Sequence, residues 1–96
     1  MSKRDYSIEI TINKRKIDRV VIDDHYKTKH SDSMSDELIL QLVSLLDGGI
    51  YPPAAEKDGF QYFKTEPLIL EDKAYRLIWL LEENEIYIGI VNAFRR

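Results

Sequence analysis

The sequence predicts an α+β fold, an antiparallel β-sheet of about five strands with one main α-helix packed on one face. Three observations predict it: alternating apolar and polar residues near the N-terminus, an amphipathic segment in the middle, and two apolar runs joined by a charged turn near the C-terminus. The predicted order is β-β-α-β-β-β. A chain of 96 residues is expected to form one domain, residues 1–96. Sequential strands are expected to lie beside each other as antiparallel neighbours.

The first two strands are predicted to form a hairpin. From Tyr6 to Ile12, apolar and polar side chains alternate, which is the pattern of a strand with one buried face. The polar residues 13–16 form the turn, and residues 17–22 form the returning strand. The polar segment 23–33 follows and carries both histidines of the chain.

A helix is predicted over residues 35–47. Ser35 is a favourable N-cap, and Asp36 and Glu37 complement the positive end of the helix dipole. Residues 47–49, Asp-Gly-Gly, end the helix because glycine adopts a positive φ easily. The apolar residues repeat at helical spacing, as Leu38, Ile39, Leu42, Val43, Leu45 and Leu46.

The region after the helix is predicted to be extended. Residues 51–55 form a connector, residues 56–59 a turn, and residues 60–65 the third strand. Pro67 is expected to interrupt that strand, because proline cannot donate a hydrogen bond to a central ladder. Extended structure resumes at residues 68–70.

A second hairpin is predicted over residues 74–94, around the charged turn 82–85. Both faces of its first strand are apolar, one with Tyr75, Leu77, Trp79 and Leu81, the other with Ile78 and Leu80. Strands of this kind are usually central or cover a partner interface. Because one helix covers only one face, the other face requires the N-terminal hairpin, strong curvature or a second protein chain.

Composition predicts a cytoplasmic protein. The chain has no cysteine, which excludes disulfide bonds and zinc–thiolate sites and suits a reducing compartment. No apolar run approaches the roughly 20 residues that a membrane span needs, so no membrane association is expected. The first residues lack the apolar core of a signal peptide. No cofactor motif is present, and we expect neither a cofactor nor a bound metal.

Charge is unevenly distributed along the chain. The formal net charge of −3 argues against nucleic acid as a partner, yet residues 1–19 carry six basic and three acidic side chains. Lys14, Arg15 and Lys16 in the first turn, with Arg96 at the end, are therefore candidate contacts to nucleic acid. The alternative interpretation is that such charges blunt an edge strand.

His25 and His30 are candidates for acid–base chemistry, because histidine titrates near neutral pH. The alternative is that they cap the helix or fill a polar corner. Their spacing of five residues does not give a strong metal motif, and no metal site is predicted. Lys29, Arg76 and Arg95 are candidate phosphate ligands. Arg76 lies in an apolar strand, where a cation must extend to solvent, pair with an acid or face a cleft.

Aromatic residues in the strands allow two interpretations. They could include a platform on which RNA bases stack, or they could be core residues. The aromatic residues in question are Tyr62, Phe63, Tyr75, Trp79, Tyr87 and Phe94.

Three short segments carry a resemblance to a known family. Lys29-His30 precedes the helix entry Ser35-Asp36-Glu37, and Tyr75-Arg76-Leu77-Ile78 places an arginine before aliphatic residues. Residues 90–96, Ile-Val-Asn-Ala-Phe-Arg-Arg, place an aromatic residue before basic ones at the end of the last strand. This pattern, over residues 17–96, resembles the small bacterial toxins of the RelE/ParE superfamily, particularly the BrnT-like branch and a related domain of unknown function.

The resemblance implies a metal-independent ribonuclease, the toxin of a toxin–antitoxin pair. On this chain His30 would be the acid–base group, with His25 as a further candidate. Arg76 and Arg95 would stabilise charge on the phosphate, and Lys29 would position the RNA backbone. An antitoxin would cover an exposed face or edge of the sheet. The alternative function is a non-catalytic interaction module that forms a homodimer or binds a partner protein through its sheet.

Overall fold

The computed structural model describes residues 3–23 and 34–96. The strands are β1 Lys3–Ile12, β2 Arg15–Asp23, β3 Ala55–Lys57, β4 Phe60–Leu70, β5 Lys73–Glu82 and β6 Tyr87–Arg95, and the helix α1 is Asp36–Ser44. Within the described residues, six strands form one sheet in the order β1-β2-β6-β5-β4-β3. All neighbouring strands are antiparallel except β2 and β6. The predicted α+β class, with a helix on a mostly antiparallel sheet, is confirmed.

The sheet differs from the prediction in strand number and strand order. The described part has six strands rather than about five, because the short edge strand β3 pairs with β4. Its three residues are all exposed, so no apolar alternation marks them in the sequence. The expectation of antiparallel sequential neighbours is wrong for β2, which lies parallel to β6, with Val20 beside Ile88. Alternation identifies the buried face of a strand but not the strand beside it.

Tight two-residue turns join β1 to β2 and β4 to β5. Asn13 and Lys14 connect β1 to β2, and both adopt positive φ, 52° and 66°. Glu71 and Asp72 connect β4 to β5 in the same way, with φ of 51° and 67°. Positive φ at both central residues gives a turn whose twist matches that of the strands. Both predicted hairpins are present, and the first turn is shorter than the predicted 13–16.

Strand β4 continues through Pro67. The predicted interruption is a shift of the β4–β5 register between Thr65 and Leu68, after which pairing resumes with Leu68 beside Tyr75. The Glu66–Pro67 peptide bond is cis. The shift frees the proline nitrogen from the ladder without ending the strand.

Helix α1 begins as the sequence predicts and ends earlier. The backbone N–H of Leu38 donates to the Ser35 hydroxyl over 3.1 Å, which confirms the N-cap. The regular helix ends at Ser44, and tighter turns follow, with Leu46 N–H donating to the Val43 carbonyl and Gly49 N–H to the Leu46 carbonyl. None of the helices in the described ranges has the length and apolar character to cross a membrane.

The hydrophobic core lies between α1 and one face of the sheet. The helix contributes Ile39, Leu42 and Val43, all with no exposed surface. On the sheet, the rings of Trp79 and Phe63 stack with centroids 4.0 Å apart. Only one face of the sheet is covered in this way by described residues.

Candidate functional site

The side of the sheet opposite α1 is called here the open face. Along β5, the side chains of Trp79 and Leu81 are buried beneath the helix, whereas Leu80 between them is half-buried on the other side. Leu80 lies in register with Tyr62 of β4 and Gly89 of β6, which fixes the neighbours of the open face. Eight of its large apolar and aromatic side chains are half-buried: Val21, Phe60, Tyr62, Ile78, Leu80, Tyr87, Val91 and Phe94. Ile69, in register with Ala74 at one end of the same face, is exposed.

No described element packs over the open face. Strands β1 and β2 continue the sheet beside β6, and the connector residue Tyr51 packs against Trp79 on the helix side. A shallow cavity of about 680 Å³ lies on the open face. Its apolar walls are Val21, Phe60, Leu80, Tyr87, Gly89, Ile90 and Val91, and Lys3, Asp5 and Arg19 border it.

Gly89 shapes the middle of this cavity. A Cβ atom at this position would lie 2.8 Å from Leu80 Cδ1, so the leucine side chain lies directly against the glycine backbone. Because position 89 has no side chain, the open face is concave between β5 and β6. A larger residue at position 89 would displace Leu80 outward.

An ion cluster lies at one end of the open face. The Arg76 Nε lies 2.8 Å from the Glu66 Oε1, and the Arg96 Nε lies 3.1 Å from the same oxygen. The close contact with Arg76 lowers the pKa of Glu66, and the positive charges of Arg76, Arg96 and Lys64 add to that effect against the opposing influence of burial. The Arg76 guanidinium also lies over the Phe94 ring, 5.1 Å from its centroid.

A second polar cluster lies at the other end. The Tyr87 hydroxyl donates to Glu82 Oε1 over 2.6 Å, and the Arg19 guanidinium lies 6.0 Å from the centroid of the Tyr87 ring. Burial, followed by the hydrogen bond to Glu82 and the charge of that carboxylate, raises the pKa of Tyr87 to about 12. Arg19 also lies 3.9 Å from the carboxylate of Asp5.

We expect Tyr87 to ionise late in an alkaline titration followed by tyrosinate absorbance. Its pKa of about 12 in the folded protein lies above the usual value near 10. Folding therefore favours the protonated hydroxyl of Tyr87. The stability that this protonated group contributes is complete below pH ~10 and is lost as the pH rises through ~12. Tyr87→Phe should remove the latest step of the titration, and Glu82→Gln should move that step to lower pH. A latest step that persists in Tyr87→Phe would contradict the assignment.

The predicted site residues are divided among different places. His25, Lys29 and His30 lie outside the described residues. Arg76 is on the open face and pairs with Glu66. Arg95 is in register with Tyr75, on the rung next to that of Arg76 and Phe94. Because successive rungs alternate between faces, the two arginines start from opposite faces of the sheet.

The predicted nucleic-acid contacts are also separated. Lys14 is in the β1–β2 turn, and Lys16 is exposed at the start of β2. The Arg15 guanidinium donates to the backbone carbonyls of Glu82 and Glu85, over 2.9 and 3.2 Å, and so supports the β5–β6 turn. Arg96 is at the opposite end of the sheet, beside Glu66.

Sequence reasoning identified part of the open face and the arginines of its ion cluster, but not the acid that they share. Ile78 and Leu80 were predicted to lie on the face of β5 opposite Trp79 and Leu81, and they do, on the face without the helix. Phe63, Tyr75 and Trp79 prove to be core residues, whereas Tyr62, Tyr87 and Phe94 lie on the open face. Glu66 was not identified, because a single acid before a proline carries no periodic signal.

Among the described residues, no group of three or more His, Asp or Glu side chains could hold a metal ion.

Comparisons with protein-family models, curated proteins and solved structures found no match to this chain.

Proposed function

We propose that this chain is a non-catalytic interaction module that binds a partner protein through its open face. The observation that carries the proposal is the set of eight half-buried apolar and aromatic side chains over which no described element packs. A contiguous apolar surface of this kind is typical of a binding site. Its centre is aliphatic, with Ile78 and Leu80 flanked by Val21. The aromatic members lie on β4 and β6, on either side of the aliphatic residues of β5, so they do not form a continuous platform for base stacking. A protein partner with an apolar surface therefore fits the open face better than RNA.

The ribonuclease activity implied by the resemblance to RelE-like toxins stays a prediction. Its acid–base residue, His30, lies outside the described residues. Its arginine on the open face, Arg76, is paired with the carboxylate of Glu66, and the same contact lowers the pKa of that carboxylate. A phosphate would therefore have to displace a carboxylate from that guanidinium, which disfavours RNA at this position.

Position-specific photo-cross-linking tests the proposal. Benzoylphenylalanine replaces Tyr62, an aromatic residue of the open face, in cells that carry the natural gene. The matched control carries the same amino acid at Gln41, an exposed position of α1 on the other side of the molecule. We expect one discrete protein adduct from position 62 and none from position 41. The adduct should disappear when the open face also carries Leu80→Asp.

The composition of the adduct separates the alternatives. An adduct with a distinct protein supports the proposal. An adduct of twice the chain mass would identify a second copy of the chain. A nuclease-sensitive adduct would favour the ribonuclease hypothesis over the interaction module. Equal adducts from positions 62 and 41, or none from position 62, would contradict binding at the open face.

A further inference from the structure

The charged side chains on and around the open face are mostly basic. Those that line the cavity or belong to the two polar clusters comprise five basic groups and three acidic ones: Lys3, Arg19, Lys64, Arg76 and Arg96 against Asp5, Glu66 and Glu82. Lys57, in register with Phe60, and Glu9, next to the core residue Ile10 on β1, add one charge of each sign and leave the sum unchanged. Their local charge is +2, whereas the whole chain has a formal charge of −3. The open face is therefore a basic surface on an acidic protein, and the excess of negative charge lies elsewhere.

The acids of the open face are already engaged by neighbouring groups. Glu66 is held between two arginines. Glu82 accepts the hydrogen bond of the Tyr87 hydroxyl, and Asp5 lies near Arg19. Lys3 and Lys64 are exposed, and within the described residues neither forms an ion pair with a carboxylate. These two lysines, on β1 and β4, border the apolar centre from opposite sides.

A second copy of this chain does not complement such a surface. Face-to-face association of two copies would bring two surfaces of charge +2 together, and like charges across an interface oppose binding. An apolar surface bordered by carboxylates would instead match both the aliphatic centre and the lysines. Electrostatic complementarity of this kind also speeds the encounter of the partners.

We propose that the partner of the open face is a protein segment with an apolar side and a surplus of acidic residues around it, rather than a second copy of this chain. This inference rests on the proposed function and adds the chemistry of the partner to it. Lys3 and Lys64 are the residues that contact the carboxylates of the partner and so favour an acidic segment.

Three matched peptides test this inference on the whole protein. Each has about 14 residues, ~21 Å as a helix, with leucine and phenylalanine at helical spacing. The remaining positions carry glutamate in the first peptide, glutamine in the second and lysine in the third. Fluorescence anisotropy measures the binding of each end-labelled peptide. We expect the glutamate peptide to bind at least ~10-fold more tightly than the glutamine peptide, and the lysine peptide to bind least, with the differences shrinking at high salt.

Charge variants assign the effect to the open face. The Lys3→Gln/Lys64→Gln protein should bind the glutamate peptide about 5-fold more weakly or worse and the glutamine peptide as before. The matched control, Lys14→Gln/Lys16→Gln, removes two exposed lysines from the first turn and its vicinity and should bind as the unchanged protein does.

The outcomes distinguish this inference from the proposed function. Equal affinity for the glutamate and glutamine peptides would overturn the acidic partner and leave the interaction module standing if position 62 still forms its adduct. Binding of none of the peptides, or a loss in the Lys14/Lys16 control equal to that in the Lys3/Lys64 protein, would also overturn it. Absence of the position-62 adduct would remove the proposed function itself.

Discussion

Trp79→Ala is expected to destabilise the protein by about 3–5 kcal/mol, because truncation of a large buried aromatic residue leaves a cavity that its neighbours do not fill. Trp79 has no exposed surface. It stacks on Phe63 at 4.0 Å and meets the edge of Tyr51 at 5.5 Å. Its indole N–H donates to the Thr65 hydroxyl over 3.0 Å. One side chain thus joins β4, β5 and the connector after α1.

This loss is a substantial fraction of the total stability of a domain of this size, which is about 5–14 kcal/mol. The matched control is Trp79→Phe, which keeps an aromatic ring against Phe63 but removes the hydrogen bond to Thr65. We expect the control to be less destabilised by about 2 kcal/mol or more, since most of the core contact is retained. Urea unfolding followed by circular dichroism measures both, because the chain has a single tryptophan and either change removes its fluorescence. Equal losses in the two variants would show that the ring stack contributes little.

The elements that sequence reasoning predicted correctly depend on local patterns. The alternation from Tyr6 to Ile12 and the polar turn after it lie within one short segment, and so do the N-cap and apolar spacing of α1. The parallel pairing of β2 with β6 brings together segments from opposite ends of the chain, with Arg19 beside Tyr87. Neither segment shows in its own sequence which strand it pairs with, because the hydrogen bonds between strands join backbone groups that nearly all residues share.

The candidate site was predictable to a similar degree. Both faces of β5 carry apolar residues, and one helix covers only one face of a sheet. The sequence of β5 alone therefore indicated that an apolar face would lack a helix. The pairing of Arg76 with an acid was one of the alternatives that the sequence left open. The identity of the acid depends on the register shift at Pro67, which brings Glu66 within 2.8 Å of the guanidinium. A shift of this kind is a property of two paired strands and not of either sequence alone.

Leu80→Asp and Leu81→Asp are expected to destabilise the protein to very different extents, although the residues are adjacent and the change is the same. Leu81 is 1% exposed and lies in register with Ile88 beneath the helix. An unpaired carboxylate there costs several kcal/mol in addition to the lost leucine packing, so we expect Leu81→Asp to be largely unfolded. Leu80 is half-buried on the open face, where a carboxylate reaches water. We expect Leu80→Asp to remain folded, with a loss of about 1–2 kcal/mol.

The folded Leu80→Asp protein then tests function without a change of fold. It places a negative charge at the centre of the surface that we propose binds an acidic, apolar partner, so it removes apolar contact and adds repulsion together. We expect at least ~100-fold weaker binding of the glutamate peptide, the size typical of a central interface residue. Leu80→Lys, which removes the same leucine but adds attraction, should retain more of the binding. Circular dichroism establishes that each protein is folded before anisotropy is measured. If Leu80→Asp is folded and binds as tightly as the unchanged protein, the open face is not the binding surface, because no central residue of an interface tolerates both changes at once.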